Sequence, residues 1–129
     1  MQVEVVSADE VVWSGQATNI IAKTVEGDIG ILAGHSPVLA VLVPGGVELV
    51  CPDGRREIVA VDGGFISVAQ GRVSILSEFA RMSGEVSLAA AEKELADAVA
   101  RMDGGDDDEE TRQHYLRASA QVKAAQKAQ

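Results

Sequence analysis

The stretch VELVCPDGRREIVAVDGGFISVAQGRVSIL, residues 47–76, decides the fold of this chain. It consists of short runs rich in valine and isoleucine, which are separated by Pro-Asp-Gly, Asp-Gly-Gly and Gln-Gly. Proline fixes φ and glycine accepts a positive φ, so these groups predict tight turns. Short β-branched runs between such turns predict strands that are joined by hairpins.

A hairpin is predicted around Pro52-Asp53-Gly54, with residues 47–51 paired to residues 56–61. Alternation along the strands predicts one face with Val47, Leu49, Ile58 and Ala60, opposite a face with Glu48, Val50 and Glu57. The next turn, residues 62–65, holds two adjacent glycines. Such a pair is typical of a bulge or a close strand crossing, although ordinary turn chemistry is the favoured interpretation.

Turn-forming glycines and prolines recur throughout the first part of the chain and are rare in the second part. Residues 1–82 contain ten of the 13 glycines and all three prolines, whereas residues 83–129 contain eleven alanines and no proline. The first part predicts a largely antiparallel sandwich or barrel, and the second predicts helices. We therefore expect two domains, residues 1–84 and residues 85–129.

Apolar residues in the second part return at intervals of three and four. A first helix is predicted over about residues 87–102, with Ser87 as its N-cap and an apolar stripe. The stripe comprises Leu88, Ala91, Leu95, Val99 and Met102. Asp103-Gly104-Gly105 then ends the helix.

A second helix is predicted over about residues 108–127. Asp107 and Glu110 have capping-box spacing at its start. One face carries Tyr115, Ala118, Val122 and Ala125. Alanine contacts bury little apolar area, so we expect the helical hairpin to be marginal alone and able to detach.

The composition argues against several classes of function. The 129 residues carry a formal net charge of -9 and only 3% aromatic side chains, which disfavours nucleic-acid binding. Cys51 is the single cysteine, so no internal disulfide or paired-cysteine site is expected. No apolar run reaches the about 20 residues of a membrane-spanning helix, and MQVEVVSADE lacks the features of a signal peptide. We expect a protein that is soluble or peripheral to a membrane.

The histidine in GDIGILAGHSPVLAVLVPGG, residues 27–46, is the main candidate for chemistry. His35 lacks an orienting carboxylate, and Ser36 precedes a proline rather than standing in a nucleophile elbow. His114, the other histidine, is distant, and the glycines match no Walker or dinucleotide motif. We expect no catalytic residue, nucleotide site, metal site or cofactor, and we interpret His35 as a loop side chain bonded to nearby backbone.

Apolar residues flank the same loop in unusual number: Ile29, Ile31, Leu32, Val38 and Leu39. Some of them must lie in the core. A glycine-rich loop edged by apolar side chains is nevertheless typical of a surface that contacts another protein.

Three motifs occur in order along the chain: EGDIGILAGHSPVLAVL, VDGGFISV and RVSILSE. Together with the alanine-rich helical pair behind them, they resemble the epsilon subunit of bacterial F-type ATP synthase, whose mitochondrial equivalent is called delta. The resemblance rests on specific motifs in residues 2–82 and on pattern alone in residues 86–129. It implies an all-β sandwich of two five-stranded sheets followed by a C-terminal α-helical hairpin.

The resemblance also implies a role without an active site of its own. Subunits of that family lie in the central stalk, at the cytoplasmic face of the bacterial plasma membrane, and contact the gamma subunit and the ring of c subunits. Carried over to this chain, the c-ring contact comprises Glu26, Gly27, Asp28, Ile29 and Gly30. The gamma contact comprises Ser7, Gly34, His35 and Ser36.

In that family the hairpin also regulates, because it can extend and insert between the alpha and beta subunits, where it blocks ATP hydrolysis. The resemblance implies this role for the basic residues of the second helix, for which a solvated helix face is an equal interpretation. They are Arg112, Arg117, Lys123 and Lys127. Some relatives bind ATP through an Ile-Asp-x-x-Arg-Ala motif. Here Ser87 and Ala90 replace its aspartate and arginine, so we expect no nucleotide site.

A free-standing, small-ligand-binding β-barrel with a helical lid is the alternative from another class. Its pocket would lie between the sandwich and the hairpin. Such a protein would be recovered from extracts without partners.

Overall fold

Ten strands and two helices follow one another along the computed structural model, which describes residues 1–128. The strands are β1 (Gln2–Val6), β2 (Val11–Gln16), β3 (Asn19–Thr24), β4 (Gly27–Leu32), β5 (Val38–Leu42), β6 (Gly45–Val50), β7 (Arg56–Val61), β8 (Gly64–Ala69), β9 (Arg72–Leu76) and β10 (Ala80–Met82). A 3₁₀ turn, Ser83–Glu85, leads to α1 (Leu88–Asp103) and α2 (Glu109–Ala128).

The strands form two five-stranded sheets, as expected. One has the order β10-β7-β6-β3-β4 and the other β5-β8-β9-β1-β2. A single pair, Thr24 with Leu42, joins them along one edge. Every neighbouring pair is antiparallel except β1 and β9, which run parallel with Gln2 opposite Arg72. The first strand of the chain is thus held between β2 and the last strand of its own sheet.

The core of the sandwich is filled by β-branched and leucine side chains from both inner faces. The largest fully buried ones include Val3, Ile20, Ile31, Leu49, Ile66 and Ile75. Period-two alternation sends these residues inward while their neighbours face out. Side chains therefore occupy the space between the sheets.

The predicted β6–β7 hairpin forms, but the expected sharing of faces is wrong. Val47 lies opposite Val59 and Glu48 lies opposite Ile58, so Val47 and Ile58 point to different sides. Val47 and Leu49 enter the sandwich core, whereas Ile58 and Ala60 pack outside against α2. The strand β7 is buried on both faces because the helical hairpin covers its outer side.

The start and end of α1 follow the sequence-based prediction. The Ala90 N–H donates to Ser87 Oγ at 3.3 Å, which confirms Ser87 as the N-cap. At the other end, Gly105 takes a φ of 94°. The Asp106 N–H donates to the Arg101 carbonyl at 3.0 Å, and the Gly105 N–H donates to that of Met102 at 3.0 Å. These two bonds form a Schellman motif, which satisfies the last carbonyls of the helix.

The N-cap of α2 is Asp108 rather than the expected Asp107. The Thr111 N–H donates to Asp108 Oδ1 at 2.8 Å, and Thr111 is buried. This backbone hydrogen bond from Thr111 lowers the pKa of the Asp108 carboxyl. Glu110 falls in the first turn of the helix instead of closing a capping box.

The two helices pack through small side chains. Ala118, Val122 and Ala125 of α2 are buried as expected, and Tyr115 is half-buried. In α1, however, the buried residues are Ala91 and Ala98. Val99 and Met102 are exposed, so the apolar stripe predicted for α1 is only partly right. Alanines occupy the contact positions between the helices because their small side chains let the helix axes approach closely.

Candidate functional site

The tip of the β3–β4 hairpin carries the residues expected to meet the c ring. The turn is closed by Thr24, whose Oγ1 donates to the Gly27 carbonyl at 2.7 Å and accepts from the Glu26 N–H at 3.2 Å. Gly27 has a φ of 117°, a conformation that favours glycine. Asp28 is the second residue of β4, opposite Lys23. The hairpin tip is therefore an ordered projection.

Its side chains differ in what they offer to a partner. Glu26, Gly27, Asp28 and Gly30 are exposed, whereas Ile29 is half-buried and packs against the sandwich core. Val25 at the turn is 63% exposed. The tip thus presents two carboxylates beside one apolar side chain, while Ile29 anchors the hairpin.

The Gly34–Ser36 segment is a turn followed by a short loop. The His35 N–H donates to the Leu32 carbonyl at 3.0 Å, and Gly34 takes a φ of 83°, as the third position of a type II turn requires. His35 Nδ1 lies 2.7 Å from the Ser36 carbonyl oxygen. The interpretation of His35 as a loop side chain bonded to nearby backbone is confirmed.

Ser7 lies at the other end of the same sheet. It follows β1, and its N–H donates to the Glu10 carbonyl at 2.9 Å. The loop of His35 leads into β5 at Val38, which pairs with Val68, whereas Val6 stands in the row of Leu76 at the opposite end of the strands. The structure therefore does not bring Ser7 and His35 into one cluster.

Between these two positions the second sheet leaves apolar side chains uncovered. Val41, Phe65 and Leu76 are register neighbours on β5, β8 and β9, and Val6 continues the row on β1. Leu39 is 71% exposed, and Phe65 and Leu76 are each 48% exposed. We call this surface, Val6, Leu39, Val41, Phe65 and Leu76, the outer apolar face.

An open cavity of about 310 Å³ lies at the Ser7 end of the outer apolar face. Its lining includes Val6, Ala8, Phe65 and Leu76. The sequence-based reasoning missed Phe65 and Leu76 as contact residues. The available signal was alternation along β8, which puts Phe65 on the same side as Ser67 and away from the buried Ile66. A contiguous apolar surface of this kind is typical of a face that contacts another molecule.

The helical hairpin covers the other sheet on its outer side. Ala120 and Ala124 of α2 pack on Ile58 and Ala60. The approach is close at Gly46, where a Cβ would lie 3.1 Å from Ala124 Cα. The absence of a side chain at Gly46 is what allows α2 to lie directly on β6.

Two of the four basic residues expected to regulate hold the hairpin in this docked position. Arg117 Nε donates to Asp62 Oδ2 at 3.1 Å, and the guanidinium lies 5.5 Å from the centre of the Phe79 ring. Lys127 Nζ donates to the Gly46 carbonyl at 3.4 Å. Arg112 and Lys123 are exposed. The structure therefore splits the predicted set into two docking residues and two that face solvent.

The start of α1 lies beside a cleft between the sandwich and both helices. Ser87 and Ala90 line it, together with Glu94 and His114. His114 Nε2 lies 2.6 Å from Glu94 Oε2, which links the two helices. The Ser87 hydroxyl is used as the helix cap, so this side chain is committed to the backbone.

Neither a metal cluster nor a spanning helix is found within residues 1–128. No group of three His, Cys, Asp or Glu side chains in this part of the chain is placed to hold a metal ion. No helix in the same range is both long and apolar enough to cross a membrane.

The sequence of this chain is similar to those of a known protein family. Residues 1–83 match the family model described as ATP synthase, Delta/Epsilon chain, beta-sandwich domain. The chain is 46% identical over 128 residues to the ATP synthase epsilon chain of Nocardia farcinica, covering 97% of this chain and 94% of that one. It is also 46% identical over 103 residues to that of Streptomyces avermitilis, covering 80% and 83% respectively.

Solved structures show the same likeness. A chain of the Euglena gracilis mitochondrial ATP synthase, in a structure of OSCP, F1 and the c-ring, is similar with a TM-score of 0.74 and 26% identity, covering 98% of this chain and 78% of that one. A chain from the central stalk and c-ring of the Tetrahymena thermophila mitochondrial ATP synthase shares the fold, with a TM-score of 0.55 and 19% identity over 99% and 95% of the two chains.

Proposed function

This chain belongs to the delta/epsilon chain family of ATP synthases, and we propose that it is the epsilon-type subunit of the F1 central stalk. In this role it is a rotor subunit that contacts the gamma subunit and the c ring. The observation that carries the proposal is the family match over the sandwich together with 46% identity to an epsilon chain along nearly the whole length. We assign residues 1–84 to the contacts with gamma and the c ring, and residues 85–129 to regulation.

The c-ring contact is proposed at the β3–β4 hairpin tip, Glu26 to Gly30. Its support is the exposure of Asp28 and Glu26 on an ordered projection that Ile29 fastens to the core. An exposed carboxylate on a rigid tip suits a polar loop of a partner, because little side-chain or backbone freedom is lost on contact. Asp28 is the residue that we expect to carry this contact.

The gamma contact is proposed to extend over the outer apolar face from Ser7 to the loop of Gly34, His35 and Ser36. The support is that Phe65 and Leu76 lie uncovered in the same sheet that these two positions bracket. A rotor shaft needs a contact that transmits torque, and burial of large apolar side chains supplies the required area. The polar residues at the two ends would then form the rim of the interface.

We propose that the chain has no active site and no cofactor of its own. The His35 ring is bonded to a backbone carbonyl, which supports a structural role for it. The subunit is proposed to be peripheral, held at the cytoplasmic face of the bacterial plasma membrane through its partners. Chemistry remains with the other subunits of the complex.

Regulation is proposed to depend on release of the hairpin from the sandwich. In the docked position Arg117 and Lys127 are bonded to Asp62 and Gly46, so they are available to the alpha and beta subunits only after release. Arg112 and Lys123 are exposed in the docked position already. Inhibition of ATP hydrolysis would thus require the loss of specific contacts, which makes it conditional.

Deletion of residues 85–129 tests the regulatory part of this proposal. The reconstituted complex should hydrolyse ATP faster with the shortened chain than with the full chain. The matched control is the full chain with Lys93→Gln, an exposed α1 residue outside the basic set assigned to regulation, which keeps the hairpin. An equal rate for the shortened and full chains would contradict an inhibitory hairpin.

Recovery of partner subunits with the chain tests the proposed contacts with gamma and the c ring. The full chain should recover the gamma subunit and the c ring, and Asp28→Asn should reduce recovery of the c ring alone. A chain that remains monodisperse and without partners would favour the alternative, a small-ligand-binding barrel with a helical lid.

A further inference from the structure

One of the contacts that hold the docked hairpin is both charged and aromatic, and we call this cluster, Arg117, Asp62 and Phe79, the latch. Arg117 Nε donates to Asp62 Oδ2 at 3.1 Å, and its guanidinium stacks on Phe79. The other oxygen of the carboxylate, Oδ1, accepts from the Phe79 N–H at 3.3 Å. Asp62 therefore pairs with Arg117 through one oxygen and holds the backbone of Phe79, the second partner of Arg117, through the other.

Ser77 connects the latch to the outer apolar face. Its Oγ lies 2.9 Å from Asp62 Oδ1 and 2.8 Å from the Phe79 carbonyl oxygen. On the other side its N–H donates to the Val6 carbonyl at 3.0 Å. Ser77 is buried, and it lines the cavity beside Val6 and Phe65. One residue thus bonds both to the latch and to the strand that borders the contact surface.

The two-glycine turn singled out in the sequence, residues 62–65, is the second connection. It begins with the latch residue Asp62 and ends with Phe65 of the outer apolar face. A Cβ at Gly64 would overlap the Leu76 carbonyl oxygen and would lie 2.9 Å from Ser77 Cα. The turn is therefore a close strand crossing with no space between its backbone and residues 76–77. Because these two backbone segments are in contact, a shift of Phe65 or Leu76 is expected to displace the backbone beside Asp62.

We infer that occupancy of the outer apolar face and docking of the hairpin are positively coupled through Asp62, Ser77 and the turn of residues 62–65. A partner that packs on Phe65 and Leu76 fixes the backbone on both sides of the crossing, in the arrangement that presents Asp62 and Phe79 to Arg117. Binding of that partner then stabilises the docked hairpin. By linkage, a docked hairpin raises the affinity of the partner by the same factor.

This inference rests on the proposed gamma contact, so the gamma subunit is the probe. Hydrogen exchange of the full chain is measured with and without gamma, with the β8 and β9 amides reporting occupancy and the α2 amides reporting docking. Gamma should protect β8 and β9 and should slow exchange in α2 by about fivefold or more. Ser77→Ala should reduce the slowing in α2.

The reciprocal measurement uses the affinity of gamma. Arg117→Gln should weaken gamma binding about fivefold, although Arg117 lies on the hairpin and not on the outer apolar face. Arg112→Gln on the same helix, with the same change of charge, is the control and should leave the affinity unchanged. Faster exchange of the β3 and β4 amides would show that Ser77→Ala lowers the stability of the sandwich. In that case the comparison of Arg117→Gln with Arg112→Gln still tests the coupling.

The possible outcomes distinguish failure of the coupling from failure of the gamma contact. Protection of β8 and β9 without any change in α2, together with equal affinities for Arg117→Gln and Arg112→Gln, would overturn the coupling and leave the gamma contact standing. Absence of protection in β8 and β9 would overturn the gamma contact on this face and the coupling with it.

Discussion

Replacing Gly46 by alanine should release the helical hairpin while the sandwich stays folded. The new Cβ would lie 3.1 Å from Ala124 Cα, 3.3 Å from Ala124 Cβ and 3.0 Å from Ile58 Cγ2. The Ile58 Cγ2 methyl moves only by rotation about the stiff χ1 angle, and the Cα of Ala124 is part of a helix and moves only with it. Gly46 is not among the glycines of positive φ, so the substitution adds no backbone strain.

The magnitude follows from the crowding of a closely packed contact. An extra methyl group in such a contact costs about 1–3 kcal/mol. Alanine also removes the backbone entropy that glycine loses in a strand, roughly 0.5–1 kcal/mol. That gain is the same whether the hairpin is docked or released, because β6 is formed in both states. The docking equilibrium should therefore shift by the full cost of crowding, about 5- to 150-fold.

Hydrogen exchange resolved along the chain measures this shift. Amides of α2 should exchange about 5- to 150-fold faster in Gly46→Ala, while those of β1 and β9 keep their protection. Gly45→Ala is the matched control, since the nearest atom to its Cβ is the flexible Lys123 Cδ at 4.0 Å. Equal α2 exchange in the two variants would refute the argument that Gly46 is required for close approach of the helix.

Three further substitutions test single residues. Asp28→Asn should leave the melting temperature unchanged, because the side chain is exposed, and should lower the proton-driven ATP synthesis of the assembled complex. His35→Ala should reduce recovery of the gamma subunit without changing the kcat for ATP hydrolysis of complexes that do assemble; a loss of kcat would contradict a non-catalytic His35. Asp108→Ala should speed exchange of the first-turn amides of α2 at neutral pH, since it removes the acceptor of the Thr111 N–H. The pKa of Asp108 is lowered in the folded chain, so its stabilising effect is present above the unfolded pKa and is lost as the pH falls through the folded pKa. The exchange rates of the unmodified chain and of Asp108→Ala should therefore converge in acid.

Turn chemistry and the two ends of α1 were the parts of the fold that the sequence predicted well. Pro52-Asp53-Gly54 and the double glycine at 104 and 105 each leave the backbone few alternatives, so local rules are sufficient there. Ser87 is similar, because residues 86–91 contain no other side chain that can accept from the first free N–H groups. In the acidic run before α2, several adjacent carboxylates are able to cap. The choice of Asp108 over Asp107 depends on where packing of Thr111 places the first turn.

Which face a strand buries could not be settled by alternation alone. Residues 58–61 read Ile-Val-Ala-Val and are apolar on both sides, which is the signal of a strand covered on both faces. Assigning Ile58 to the outer side required the register with Glu48 and the position of α2. The same holds for Arg117, whose partner Asp62 is 55 residues away in the sequence. Contacts of that range arise from tertiary packing, for which one sequence carries no local signal.

The parallel pairing of β1 with β9 has a consequence for how the chain is made. Pairing of β1 with β2 is local, but β1 can join the rest of its sheet only when Arg72 is available to pair with Gln2, so the second sheet stays open during synthesis until β9 has been made. The helices are synthesised last and meet a surface on β6 and β7 that has already formed. A sandwich without its docked hairpin is therefore expected as the last intermediate in the synthesis of each molecule, and docking of the helices is expected as the final step of folding.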